Sequence, residues 1–147
     1  MFKNILVPTD GSALSRKAIK QAVQLAVEQK ATVIGVHVSP PYAPDVLEDF
    51  SVRNFVSPQK YAAQTEAVAR RHLRVIERAA AAAGVPCQSV HATGDYPHDE
   101  ILKAARQKKC DVIYMASHGR RGIARLLLGS ETSKVLAHAM LPVIVCR

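Results

Sequence analysis

"NILVPTDGS", Asn4 to Ser12, sets an apolar run rich in branched residues against a proline and a polar turn. Asn4 to Val7 reads as a strand buried on both faces, closed by Pro8. The cluster that follows suits a turn, with Ser12 or Ser15 placed to cap the next helix. Ala18, Ile19, Ala22, Val23, Leu25 and Ala26 then recur at helical spacing, with Arg16, Lys17, Lys20, Gln21, Gln24 and Glu28 between them. A buried strand, a polar turn and an amphipathic helix are the first half of a parallel crossover unit.

The same alternation continues along the chain. Ala31 to Val38 is a second buried strand, broken by Pro40, Pro41 and Pro44. An irregular connection then runs from Ser39 to Ser57, long enough to serve as a lid or binding element. Pro58 opens a long helix striped by Ala62, Ala69, Leu73, Ile76 and Ala80 and ended by Gly84 and Pro86. A third strand spans Val85 to Ala92. Pro97 opens a short helix, Asp111 to Ala116 is a fourth strand, and a helix from about Ser130 to Ala139 precedes a fifth strand, Pro142 to Cys146. Alternating strands and helices predict an α/β fold: one doubly wound open sheet of five mainly parallel strands, order 3-2-1-4-5, with helices on both faces. No internal repeat or boundary divides residues 1–147, so one domain is expected.

That strand order puts the winding switch between strands one and four, where open sheets bind ligands. The turns PTDGS and ASHGRRG would then face each other across one crevice. The second belongs to "MASHGRRGIARLLLGS", Met115 to Ser130. Gly119 and Gly122 permit positive φ and close backbone approach. Gly129 and Ser130 precede a helix whose free N–H groups and dipole suit a phosphate. Ser130 and Thr132 add hydroxyls, and Arg120, Arg121 and Arg125 raise the local potential. The bland alternative is a plain glycine-rich connection. Asp10 reads either as a ligand to a phosphate-bound metal or as a turn residue bonding its own backbone. His118, with no nucleophile beside it in sequence, reads as a loop-orienting residue rather than a catalytic base.

Composition narrows the partners. The 147 residues carry 20 Lys and Arg against 12 Asp and Glu, a net charge of +8, which favours anionic ligands. There is no Trp, and 5% of residues are aromatic, so a base-stacking surface for nucleic acid is unexpected. Arg70, Arg71, Arg74 and Arg78 lack a reader motif and suit a solvated helix face. The first apolar run, Ile5 to Val7, is far too short for a signal peptide, and no run suits a membrane span. Cys87, Cys110 and Cys146 are odd in number and widely spaced, as in a reducing, cytoplasmic setting. The six histidines show no zinc spacing with them.

The chain resembles the universal stress protein family. The likeness rests on NILVPTDGS, VIGVHV, GDYPHDEI, DVIYMASHGRRG and the closing LLLGSETSKVLAHAMLPVIVCR. ATP-binding members carry G-x2-G-x9-G-[ST] after the fourth strand. Here Gly119 and Gly129 stand nine residues apart with Ser130 following, while Ala116 replaces the first glycine. The resemblance implies ATP, or ADP or AMP, as ligand, with Mg2+ or Mn2+ beside it. Pro8, Thr9 and Asp10 would line the crevice, and Asp10 would meet the ribose or the metal. Val38 or Val36 would meet the adenine through backbone atoms, with Met115 and Ala116 under base and sugar. His118 lies within reach of a phosphate. Gly119, Gly129, Ser130, Glu131 and Thr132 would hold the phosphates. The resemblance also implies a homodimer paired along the last strand and action through a protein partner. No P-loop and no evident general base point to turnover beyond slow hydrolysis. Ala116 leaves two other readings: a nucleotide-free interaction module, or an enzyme on the same architecture.

Overall fold

The computed structural model describes residues 1–43, 56–120 and 128–147. Five strands, β1 (Asn4–Pro8), β2 (Thr32–Ser39), β3 (Cys87–Thr93), β4 (Val112–Ala116) and β5 (Val143–Cys146), form one sheet in the order β3-β2-β1-β4-β5. Every pairing is parallel. Among the described residues, four helices connect or flank them: α1 (Ala13–Gln29), α2 (Pro58–Ala82), α3 (Pro97–Gln107) and α4 (Ser130–His138).

The period of two along β1 divides the core. Ile5 and Val7 face α1 and α2, packing with Ile19, Ala22, Val23, Leu73 and Ile76. Leu6 faces the other way, toward Ile101, Leu102 and Ala105 of α3 and Val135 of α4. Ile5 and Leu6 are wholly buried, so β1 has no solvent face. That explains why its sequence is an unbroken apolar run rather than an alternating one. The branched residues of β5 are half-buried, as befits an edge strand.

The long connection after β2 is anchored where it is described. Tyr61 of α2 donates its hydroxyl to the Pro40 carbonyl, and Tyr42 donates to Val56. The two rings meet edge to face at 5.4 Å. Residues 44–55 of that expected irregular segment lie outside the described residues. The arginines of α2 are exposed, and Arg70 pairs with Glu66 at 3.0 Å. Among the described residues, no helix is long and apolar enough to cross a membrane.

Candidate functional site

β1 pairs with β4 through Ile5–Val112 and Leu6–Ile113, so both strands deliver their C-terminal ends to one rim of the sheet. Thr9, Asp10, Ser117, His118 and Gly119 meet there. Among the described residues, one carboxylate joins the two exits. Asp10 Oδ1 accepts the Ser12 N–H at 3.0 Å, and Oδ2 accepts the Arg120 N–H across the crevice at 2.8 Å. The turn bond expected of Asp10 therefore exists, and a second bond reaches the opposite loop. Gly119 sits against the same carboxylate: a Cβ there would collide with Asp10 Oδ2. Close approach, not positive φ, is what requires glycine at 119, for its φ lies outside the left-handed region.

The β4 exit is folded back on itself. The Gly129 N–H donates to the Ser117 carbonyl at 2.6 Å, closing the loop at its base. The Thr132 hydroxyl donates to the Ala116 carbonyl at 2.9 Å, and Thr132 is buried. Thr132 thus holds α4 to the end of β4, so its hydroxyl proton is already committed. The Glu131 carboxylate also points elsewhere. It accepts the His98 backbone N–H at 2.8 Å and faces the His98 ring at 3.0 Å, capping α3. Burial pushes the Glu131 carboxyl upward, but the hydrogen bonds from His98 and Lys134 outweigh it and hold it below its ordinary range. Of the phosphate-holding set expected from sequence, Thr132 and Glu131 can offer their backbone N–H groups, and Ser130 its exposed hydroxyl as well. Arg121, Gly122 and Arg125 lie outside the described residues.

Helix starts differ around this rim. Ser12 caps α1 by accepting the Ser15 N–H at 3.1 Å, and Ser57 caps α2 by accepting the Lys60 N–H. α3 receives the Glu131 carboxylate. α4 starts at Gly129, which brings no side-chain cap. The N–H groups of Ser130, Glu131 and Thr132 have no acceptor among the described residues. Three parallel donors at the positive end of a helix dipole are an anion seat. His118 stands beside it, its ring against the Ser117 hydroxyl at 3.2 Å.

The far side of the crevice is made of main chain. The Val36 carbonyl accepts the Thr9 N–H at 2.9 Å, and the Val36 side chain is buried in the core. Val38, two residues on, turns its backbone toward the same side, past the point where β1 has ended. Of the two valines expected near a base, Val36 already gives its carbonyl to Thr9, and Val38 lies beyond the β1 pairing. Met115 is buried below, and Ala116 is half-buried at the rim.

Two residues of this region carried no role in the sequence reading. His37 and His72 lie buried beneath the Thr9–Ser12 turn, and His37 Nδ1 contacts the Thr9 carbonyl at 2.9 Å. The signal existed: His72 falls on the apolar stripe of α2, between Ala69, Leu73 and Ile76. Among the described residues, no three His, Cys, Asp or Glu side chains gather as a metal site requires.

The universal stress protein family model matches residues 1–147. The chain belongs to the universal stress protein family. It is 34% identical to the universal stress protein YxiE of Bacillus subtilis over the full length of both chains. Its fold superimposes on that of MJ0577, a universal stress protein of Methanocaldococcus jannaschii, with a TM-score of 0.82 and 28% identity, covering 99% of this chain and 96% of the other. A universal stress protein solved in complex with cAMP shares the fold at a TM-score of 0.69 and 24% identity, covering 99% and 97%.

Proposed function

We propose that this family member binds an adenine nucleotide, ATP or its diphosphate or monophosphate, in the crevice between β1 and β4. The observation that carries the reading is the uncapped start of α4. Its three N–H donors would meet the phosphates, with the Ser130 hydroxyl and His118 beside them, and a nucleotide-bound Mg2+ or Mn2+ would offset the remaining phosphate charge. The Val38 backbone offers a donor and an acceptor to the adenine edge, and Pro8, Thr9 and Met115 form the floor. Asp10 acts chiefly as the clasp between the two loops, with its remaining lone pairs turned to the ribose or metal. The net charge of +8 draws in the anion. A cAMP complex in a protein of this fold is consistent with the ligand class.

The role that fits is regulatory: a cytoplasmic homodimer paired along β5 that acts on a protein partner according to its nucleotide. Ala116 favours one competing reading, a dimer whose rim is narrowed against nucleotide. Purification without added nucleotide, denaturation and mass spectrometry of the released small molecules separates the two. A stoichiometric adenine nucleotide supports the binding role. None released, and none bound on titration with Mg-ATP into the millimolar range, leaves the interaction module.

A further inference from the structure

His37 and His72 form a wedge under the β1 exit. The Thr9 carbonyl can only accept, so the His37 nitrogen 2.9 Å from it, Nδ1, carries a proton. His72 Nδ1 lies 3.3 Å from that same nitrogen. It must therefore present a lone pair, which places the His72 proton on Nε2. The rings meet edge to face at 4.8 Å. On its other side the His72 ring fills the space where a Gly11 Cβ would stand, and Gly11 has a φ of +78°. His72 thus touches the turn that carries Asp10, and Asp10 holds the Arg120 N–H across the crevice.

His72 Nδ1 has no room for a proton in this arrangement. A doubly protonated His72 ring would direct an N–H at the N–H of His37 and lose its acceptor role. Charges around the pair act in the same direction. Burial first, then His37, Arg120 of the β4 loop and Arg71 of α2, hold His72 below the ordinary imidazole range, with Asp10 opposing. His37 is lowered by burial first, against the Thr9 carbonyl, with His91 of β3 and Arg120 adding to the fall and Asp10 opposing. His91 is itself held by the Ser39 hydroxyl at 2.8 Å.

We propose that His72 is a positioning residue for the crevice: its neutral ring props the Thr9–Ser12 turn, and proton uptake by the His37–His72 pair drops the prop and loosens the Asp10 clasp. Ligand affinity then falls on acidification. The ligand in this inference rests on the nucleotide reading above; the conformational step does not. The folded chain binds fewer protons than the unfolded chain below the ordinary imidazole value of about 6.5. The prop therefore outlasts the ordinary imidazole value and is lost as pH falls through the lower folded value of the pair.

The test has two arms on the full chain. Histidine and amide NMR of the nucleotide-free protein, from about pH 8 to pH 5, follows the two imidazoles and the Gly11 and Arg120 amides. Neutral rings of the stated tautomers at pH 7, with both amides moving as His72 titrates, are the expected result. Amides that stay silent while His72 titrates overturn it. Calorimetry with Mg-ATP then compares the wild type with His72→Gln, which keeps an acceptor and cannot titrate. Titration of ATP itself cancels between the two proteins. The loss of affinity on acidification should be steeper in the wild type, by up to about tenfold per pH unit for one coupled proton. Equal losses overturn the proposal. If neither protein binds Mg-ATP at any pH, the nucleotide reading fails, and the NMR arm alone decides the prop.

Discussion

Two helices begin at the same rim, and they begin differently. α1 starts with Ser12, whose hydroxyl accepts the Ser15 N–H, and the turn before it is closed further by Asp10 and by the buried Thr9–Ser15 hydroxyl pair at 2.7 Å. The Gly11, Ser12 and Ser15 N–H groups are spent inside the protein, which leaves only those of Ala13 and Leu14 without an acceptor among the described residues. α4 starts with Gly129, no side chain caps it, and the acid of its first turn is turned away to cap α3. Side-chain hydrogen bonding closes the first exit over most of its donors and leaves the second with three N–H groups and no side-chain cap. A glycine N-cap gives up only roughly a few tenths of a kcal/mol relative to Ser, Thr, Asn or Asp. That cost is intelligible if an anion supplies the missing acceptors.

The sharpest way to break this contrast is to wedge the exits apart. Gly119→Val puts a branched side chain into the Asp10 carboxylate, so the clasp opens. We expect Mg-ATP binding to fall below detection by calorimetry and stability to fall by about 1–3 kcal/mol in denaturant melts. Retained binding would mean that the two loops need not meet. A subtler change fills the open start directly. Ser130→Asp lays a carboxylate over the α4 donors, which should weaken Mg-ATP by about ten- to a hundredfold while leaving the melting temperature unchanged or slightly raised. Undiminished affinity would put the phosphates elsewhere. The reciprocal change at the capped exit, Ser12→Ala, should cost about 1 kcal/mol of stability and leave Mg-ATP affinity within about twofold.

Much of this was legible before any coordinates. Short apolar runs rich in branched residues, such as those within Asn4 to Val7 and Ala31 to Val38, read as strands covered on both sides, and together with the helical stripes between them they lead to the parallel sheet and its switch point. Spacing also led to Gly119, Gly129 and Ser130. What stayed hidden was how side chains are shared between elements distant in sequence. Nothing local in SETSK says that Glu131 caps α3, which lies 33 residues earlier, or that Thr132 is spent on the Ala116 carbonyl. The apolar stripe of α2 marks His72 as inward-facing but not what it meets, because its partner His37 lies 35 residues away and reaches it only when α2 packs on β2. Periodicity reports which face is buried. It does not report which buried polar atoms find one another.

The Glu131–His98 contact gives the smallest effect and tests whether the open start depends on its neighbour. The Glu131 carboxyl is held below its ordinary range, so the folded protein releases its proton more readily than the unfolded chain. Its contribution is therefore present above the ordinary glutamate value of about 4.3 and is lost as pH falls through the lower folded value. The side chain is 35% exposed, and solvent screens it, so about 0.5 kcal/mol is the expected size. Glu131→Gln should remove that part of the acid dependence of denaturant stability and leave stability near pH 7 lower by a similar amount. The α4 N–H groups do not use this carboxylate, so Mg-ATP affinity at neutral pH should hold or rise slightly as a negative charge near the phosphates disappears. A marked loss of affinity would show instead that α3 and α4 must be clasped for the seat to form, making the open helix start a property of two helices rather than of one.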